Sequence, residues 1–399
     1  MMTPASAQGQ MKWYGFIRNY LAVDTRESVA GTEDFFYYVP KDQSLNAAGE
    51  DLNERTSMRY AALTSRLGVD VSGYEFDGFK MGAKIEADFY NGVSGVTGTA
   101  VFRMRQAYLT LAKGNTNLKL GQAWHPMAAD MPDVVSLNTG APFGAFSRTP
   151  LAQWDYKLGD KGVSLTGAAI WQMQYTSAGP DGASANYIKY GCTPELFLGI
   201  NFKGQNGLVR VGADMLSIKP RNIDATTKVK VDDRITTFTA FVYGQYAKND
   251  FSIKAKSSFG EAGEHVNLNG GYGVCNINSD GSWDYSATRN SSTWVSLKYG
   301  KKVQGILFAG YVKNFGTAEK LVSKDMLYFS KNSFSNMNSM WRLTPTVAYN
   351  IGKFQLALEY EVTSIQYGKW GAEDLYGLAT QDLHWITNNR LLLMTKFTF

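Results

Sequence analysis

The segment Arg103-Met104-Arg105 places two guanidiniums two residues apart, and the stretch 125–150 carries Asp130, Asp133 and Arg148. Such groups bind and steer ions rather than make or break bonds. The side chains that covalent or metal chemistry would need are sparse. The three histidines, His125, His265 and His384, fall in or near loops and show no catalytic or zinc-binding spacing. The two cysteines, Cys192 and Cys275, also lack metal spacing. They are expected in two external loops of an oxidising compartment, where a disulfide between them is left open. No cofactor, no metal and no enzymatic activity are expected, and without a Lys/Arg block there is no nucleic-acid partner.

What must hold these charges in place follows from periodicity. The 399 residues carry a net charge of +5, with 44% hydrophobic and 14% aromatic residues. No stretch approaches the run of about 18 apolar residues that a spanning helix needs. Instead "FKMGAKIEADFY" puts Phe79, Met81, Ala83, Ile85, Ala87 and Phe89 on one face and Lys80, Lys84, Glu86 and Asp88 on the other. "VSLTGAAIWQMQY", "FSIKAKSSF", "FQLALEYEVTS" and the terminal "NNRLLLMTKFTF" alternate in the same way. At roughly ten residues or more these are tilted membrane strands, apolar toward lipid and polar toward a lumen. A low mean hydropathy of −0.25 is what such alternation produces.

The connections alternate short and long. Turns such as Gly73–Gly78, Lys113–Asn117 and Lys248–Asp250 are followed by long segments near 25–57, 91–100, 125–150, 177–194, 219–233, 261–292, 316–339 and 367–383. The pattern predicts an all-β fold: one closed antiparallel transmembrane barrel of about sixteen strands over residues 11–399, with short periplasmic turns and long extracellular loops. Aromatics near strand ends, among them Trp13, Phe89, Tyr175, Phe251, Tyr299 and Phe399, are read as interfacial girdles. Residues 1–10 are read as a flexible N-terminus with a residual export signal, since Ala5-Ser6-Ala7 before Gln8 resembles a cleavage site.

Residues 103–157 carry a family resemblance. Arg103, Arg105, Ala107 and Tyr108, then Gly121, Gln122 and Trp124, then Arg148 and Pro150 resemble the DcaP-like trimeric porins of Gram-negative outer membranes. The resemblance implies an outer-membrane channel whose third long loop folds inward as a constriction. It also implies a homotrimer among lipid and lipopolysaccharide. The terminal Phe399 resembles the signal read by the barrel-assembly machinery. The family's dicarboxylate preference does not carry over, because its lumen residues are not matched one by one.

The residues themselves support the inward loop. Met127, Met131, Val134, Val135, Leu137, Phe143 and Phe146 make it too apolar for solvent. Asp130, Asp133 and Arg148 are then expected at the narrowest point, opposite a basic wall. Parity places Arg18, Asp24 and Arg26 inward on the first strand, Arg66 and Asp70 on the second, and Lys80, Lys84, Glu86 and Asp88 on the third. Arg103 and Arg105 share parity with outward Ala107, Leu109 and Leu111. Either they lie beyond the membrane or a bulge shifts the register. Inward cations outnumber inward acids, so the expected function is passive diffusion of small polar or anionic solutes. The acids of the loop are expected to blunt the anion preference. Rival readings are a substrate-specific channel for dicarboxylates or sugars, the latter drawing on Tyr14, Phe16 and Tyr20, and a surface-binding barrel. A homotrimer is also suggested by polar residues of lipid-facing parity, Asn19, Ser65, Asn389 and Thr395.

Overall fold

The computed structural model describes residues 9–93, 96–224, 226–329 and 335–399, so residues 1–8 of the expected N-terminal segment lie outside the described ones, while Gln10 already belongs to the first strand. Sixteen strands close into one antiparallel barrel. They are β1 (Gln10–Asp24), β2 (Arg66–Phe76), β3 (Phe79–Val93), β4 (Val96–Lys113), β5 (Thr116–Trp124), β6 (Arg148–Lys157), β7 (Val163–Ile170) and β8 (Glu195–Lys203). The second half comprises β9 (Gly207–Ile218), β10 (Ile235–Lys248), β11 (Phe251–Glu261), β12 (Trp283–Tyr299), β13 (Val303–Thr317), β14 (Met337–Ile351), β15 (Phe354–Lys369) and β16 (Gln381–Thr398). Among the described residues no helix is long and apolar enough to cross a membrane. The crossing elements are strands, whose backbone groups are all paired once the sheet closes.

Closure runs through β1, which pairs with β16 from Phe16↔Thr398 to Asp24↔Arg390 and with β2 from Gln10↔Ser72 to Phe16↔Arg66. The upper part of β1 pairs instead with the short strand Ser57–Ala61. That segment continues the line of β2 after a break at 62–65. The alternation expected for a barrel is explicit on β10: Thr237, Thr239, Phe241 and Tyr243 are buried inside, while Phe238 and Val242 are exposed outside. Turns follow the residue types. Asp77 and Gly78 both have positive φ, 48° and 75°, as a tight hairpin between Phe76 and Phe79 demands.

The expected long loop at 91–100 is mostly strand, because β3 and β4 pair as far as Val93↔Val96. Beyond Ile170 the expected strand continues as irregular chain, and Tyr175 lies inside the barrel rather than on a girdle. Outward aromatics do mark the rims, as with Trp13, Phe251, Tyr299 and Phe397 at the turn end and Phe259 against Phe315 near the loop end.

Two loops fill the lumen. Segment 125–147 lies inward as expected, burying Met127, Phe143 and Phe146 with Trp294 and Phe308 of the wall. The first long connection does the same. Its hairpin, Ser28–Gly31 with Phe36–Pro40, is buried along its whole second strand. Phe143 seats where β13 has no side chain: a Cβ on Gly310 would lie 2.6 Å from Phe143 Cγ. Gly121, in the Gly-Gln-x-Trp segment, has φ +125°, and a Cβ there would meet the Ala107 backbone oxygen at 2.3 Å. Gly121→Ala is therefore expected to lower the yield of folded barrel several-fold, since strain of about 1–3 kcal/mol adds to a backbone clash. Heat-modifiable gel migration measures this, and unaltered assembly would show that the β4–β5 contact relaxes freely.

Candidate functional site

The site is built where β1 to β5 meet the two inward loops. A β-bulge settles the orientation of the arginine pair. Glu86 pairs with Gln106 and Ala87 with Met104, so Arg105 is the extra residue and parity reverses across it. Arg103 and Arg105 thereby point inward, while Phe102 and Met104 on one side and Leu109 on the other face lipid.

Both arginines are held by the neighbouring strand. Arg103 makes a two-pronged pair with Asp88, both contacts at 3.0 Å. Arg105 reaches Glu86 at 2.8 Å and Asp88 at 2.6 Å. Arg66 stands 3.4 Å from Glu86. Arg18 donates to the Thr64 hydroxyl at 2.6 Å. Thr64 lies in the break between the two parts of the second strand line with φ 67°, a conformation rare for a β-branched residue. The break thus presents a buried hydroxyl to a guanidinium. Arg148 packs on the rings of Trp124 and Phe146, 4.8 and 5.4 Å from their centroids. It forms no ion pair among the described residues.

These groups surround a cavity of about 300 Å³. Arg18, Arg66, Arg103, Arg105 and Lys396 line it from the wall, and Phe36, Tyr38, Met131, Leu137 and Phe146 line it from the loops. A second space of about 410 Å³ shares Tyr38, Tyr90, Arg103, Gln174 and Tyr175 with it and adds Arg148. Six cations therefore face two carboxylates, Glu86 and Asp88, leaving four positive charges uncompensated. Arg18 Nε, Arg66 Nε and Arg148 Nη1 are buried without a hydrogen-bond partner in the protein. A buried unpaired donor costs about 1–3 kcal/mol, which a passing anion would recover.

The remaining residues of the expected constriction sit elsewhere. Asp130 and Asp133 do not oppose the basic wall across open space. Asp130 is bonded to Arg210 at 2.7 Å and lies 3.7 Å from Lys256, while Asp133 is 3.1 Å from both Lys254 and Lys298. They fasten the loop to β9, β11 and β12, and their charges are spent there. Lys84 is on the lumen wall but outside the cavity, paired with Asp70 at 2.7 Å and with the Tyr14 hydroxyl at 3.0 Å. Arg26 belongs to the first loop and pairs with Asp51 at 2.6 Å, and Asp24 pairs with Arg390 at 2.8 Å. The rings of Phe16 and Tyr20 do not form a bare aromatic track. The Arg18 guanidinium lies over both at 4.9 Å. Cys192 and Cys275 are free thiols, so the disulfide left open by the sequence is not made.

The sequence reading missed Phe36, Tyr38, Tyr90, Gln174 and Tyr175 of the cavity, and Thr64 behind Arg18. A signal was present for two of them. The run Phe35-Phe36-Tyr37-Tyr38-Val39 is as unsuited to an exposed loop as the one at 125–150.

A family model described as DcaP outer membrane protein matches residues 2–150. In three dimensions the chain is similar to the outer membrane channel DcaP of Acinetobacter baumannii, with a TM-score of 0.73 and 19% identity over 99% of each chain. It is similar to OmpT of Vibrio cholerae, with a TM-score of 0.55 and 13% identity over 100% of both chains. It is also similar to an anion-selective porin from Comamonas acidovorans, with a TM-score of 0.56 and 9% identity over 98% of this chain and 100% of that one. No curated protein sequence matches it significantly. At these identities the likenesses carry the fold alone, that of a closed antiparallel β-barrel.

Proposed function

We propose that this chain is a passive outer-membrane channel of a Gram-negative bacterium that favours small anionic solutes. The observation behind this reading is the cavity between the loops and β1–β5, with four uncompensated positive charges and three unpaired guanidinium donors. A low-dielectric wall focuses that field into the narrow part of the lumen. The loop acids cannot blunt it, because Asp130 and Asp133 are neutralised by the wall that holds them. The preference is accordingly stronger than the sequence suggests. The porin from Comamonas acidovorans is described as anion-selective, which is consistent with the reading. In the proposed constriction Arg18, Arg66, Arg103, Arg105 and Arg148 act on the solute, while Asp130 and Asp133 hold the loop. Liposome swelling with pairs of solutes of equal size and opposite charge tests this. Anions should enter at least several-fold faster, and equal or inverted rates would overturn the assignment.

A homotrimer remains part of the proposal, with Phe399 as the element read by the barrel-assembly machinery. A form of the Vibrio cholerae OmpT, 12% identical here, is described as a trimer. The lipid-facing polar groups give weaker support than expected, since Asn19 lies 3.4 Å from the Thr395 hydroxyl and Asn389 accepts from Tyr360 at 2.7 Å. Mass measurement in detergent should give three chains per particle, and a monomer alone would refute the assembly.

A further inference from the structure

At the root of the inward loop, away from the arginine cavity, four side chains from four separate segments converge. His125 caps the short turn Pro126–Ala128 that starts the loop, Glu195 opens β8, Asp214 lies in β9, and His265 sits in the turn Gly263–Val266 after β11. None is more than 2% exposed. Ligand atoms of His125, Glu195 and Asp214 lie within 4.8 Å of one another. His265 Nε2 is 3.3 Å from Glu195 Oε1 and 3.6 Å from Asp214 Oδ2.

The hydrogen bonds on the far side of each imidazole assign their roles. His265 Nδ1 lies 3.1 Å from the Ala262 carbonyl and must donate to it, so the neutral ring presents a lone pair at Nε2. That Nε2 makes no hydrogen bond, and neither does Asp214 Oδ1. His125 Nδ1 accepts the Met127 amide at 3.1 Å, so its proton is on Nε2 and is donated to Glu195 Oε1 at 2.6 Å. Among the described residues no lysine or arginine pairs with Glu195 or Asp214. Two carboxylates buried together are costly unless a positive charge sits between them, and His265 supplies one only by taking up a proton.

We propose that His265 Nε2, Glu195 and Asp214 bind a divalent transition-metal ion, with His125 as the outer partner that orients Glu195. One imidazole and two carboxylates suit zinc, a fourth position being left for water. The His265 bond to a backbone carbonyl is the usual second-shell arrangement of a ligating histidine. The ion joins β8, β9 and the turn after β11 at the point where the inward loop leaves the barrel, and so fixes the root of the constriction.

The test uses the full chain, folded in detergent, stripped with chelator and titrated with Zn²⁺ alone. The expected result is one Zn²⁺ retained per chain after desalting and a rise in the temperature at which the barrel unfolds on gels. His265→Ala and Glu195→Gln should abolish retention, and His125→Ala should weaken it about 10–100-fold as an outer partner does. His384→Ala, at a half-buried histidine paired with Asp42 away from this cluster, should leave Zn²⁺ retention unchanged. The wild-type measurement decides even if a variant fails to fold: no stoichiometric Zn²⁺ on the folded protein overturns the proposal. So does equal retention by folded His265→Ala, and a His265 that is simply protonated would give either result.

Discussion

Replacing Arg18 and Arg66 together with glutamate is expected to abolish the anion preference of the channel. Both line the cavity, and each keeps one guanidinium nitrogen unpaired. The double exchange turns six cations and two acids into four of each, so the local charge falls from four positive to neutral. A unit charge about 6 Å from a solute at an effective dielectric of about 20 is worth roughly 3 kcal/mol, and salt shortens its reach to about 8 Å. Only charges at the cavity itself therefore count. The zero-current potential across a planar bilayer under a salt gradient should move from strongly anion-selective to near zero. Arg103 and Arg105 are poorer targets, because each makes two short contacts to the buried carboxylates Asp88 and Glu86, whereas Arg66 reaches Glu86 only at 3.4 Å and Arg18 pairs with no acid among the described residues. Lys84→Glu is the matched control. It changes the charge by as much as each single exchange but lies outside the cavity beside Asp70, and should shift the potential far less. An unmoved potential in the double variant would mean that another part of the lumen sets selectivity.

The barrel was legible because lipid and lumen impose opposite demands on alternate residues. Phe79 to Phe89 declare that alternation without ambiguity, and Asp77-Gly78 declares the turn before them. Parity also flags Arg103 and Arg105, since two arginines on a lipid-facing register contradict the environment; it leaves open a place beyond the membrane or a bulge, and the structure has the bulge. The rule ends where the chain leaves the sheet. It says which residues face inward but not at what height, nor what comes opposite them. Asp130 and Asp133 lie on the inward loop, yet nothing local to them shows that Arg210, Lys254 and Lys298, far along the chain, receive them. The same holds for His125 and His265, whose meeting through Glu195 depends on which loops share a rim. The apolar hairpin at Phe36–Pro40 was readable in principle from composition alone.

Glu359→Ala is expected to release the inward loop and enlarge the pore. Glu359 stands on β15 with its carboxylate wholly inside the barrel, and it accepts the backbone N–H of Val135 at 2.7 Å, that of Ser136 at 2.9 Å and the Thr346 hydroxyl at 2.8 Å. Two successive backbone donors on one carboxylate leave the loop no freedom to slide along the wall. Charge-assisted bonds of this kind are about twice as strong as neutral ones. With alanine both amides are left buried without partners, at about 1–3 kcal/mol each, and the loop recovers them only by turning toward water. The ion pairs of Asp130 and Asp133, the Asn138 bonds to Glu361 and the Tyr37 carbonyl, both at 3.2 Å, and the Arg342 bond to the Ala141 carbonyl at 2.9 Å still hold the rest, so residues 134–137 should swing while the loop as a whole stays inside. Single-channel recordings should show higher mean conductance with added open-state noise, and liposome swelling should admit larger neutral solutes. Glu359→Gln, which keeps an acceptor oxygen for one amide, should fall between wild type and alanine. If conductance and size limit stay at wild-type values in a correctly folded Glu359→Ala barrel, the loop is held by its apolar contacts with Trp294 and Phe308 rather than by this carboxylate.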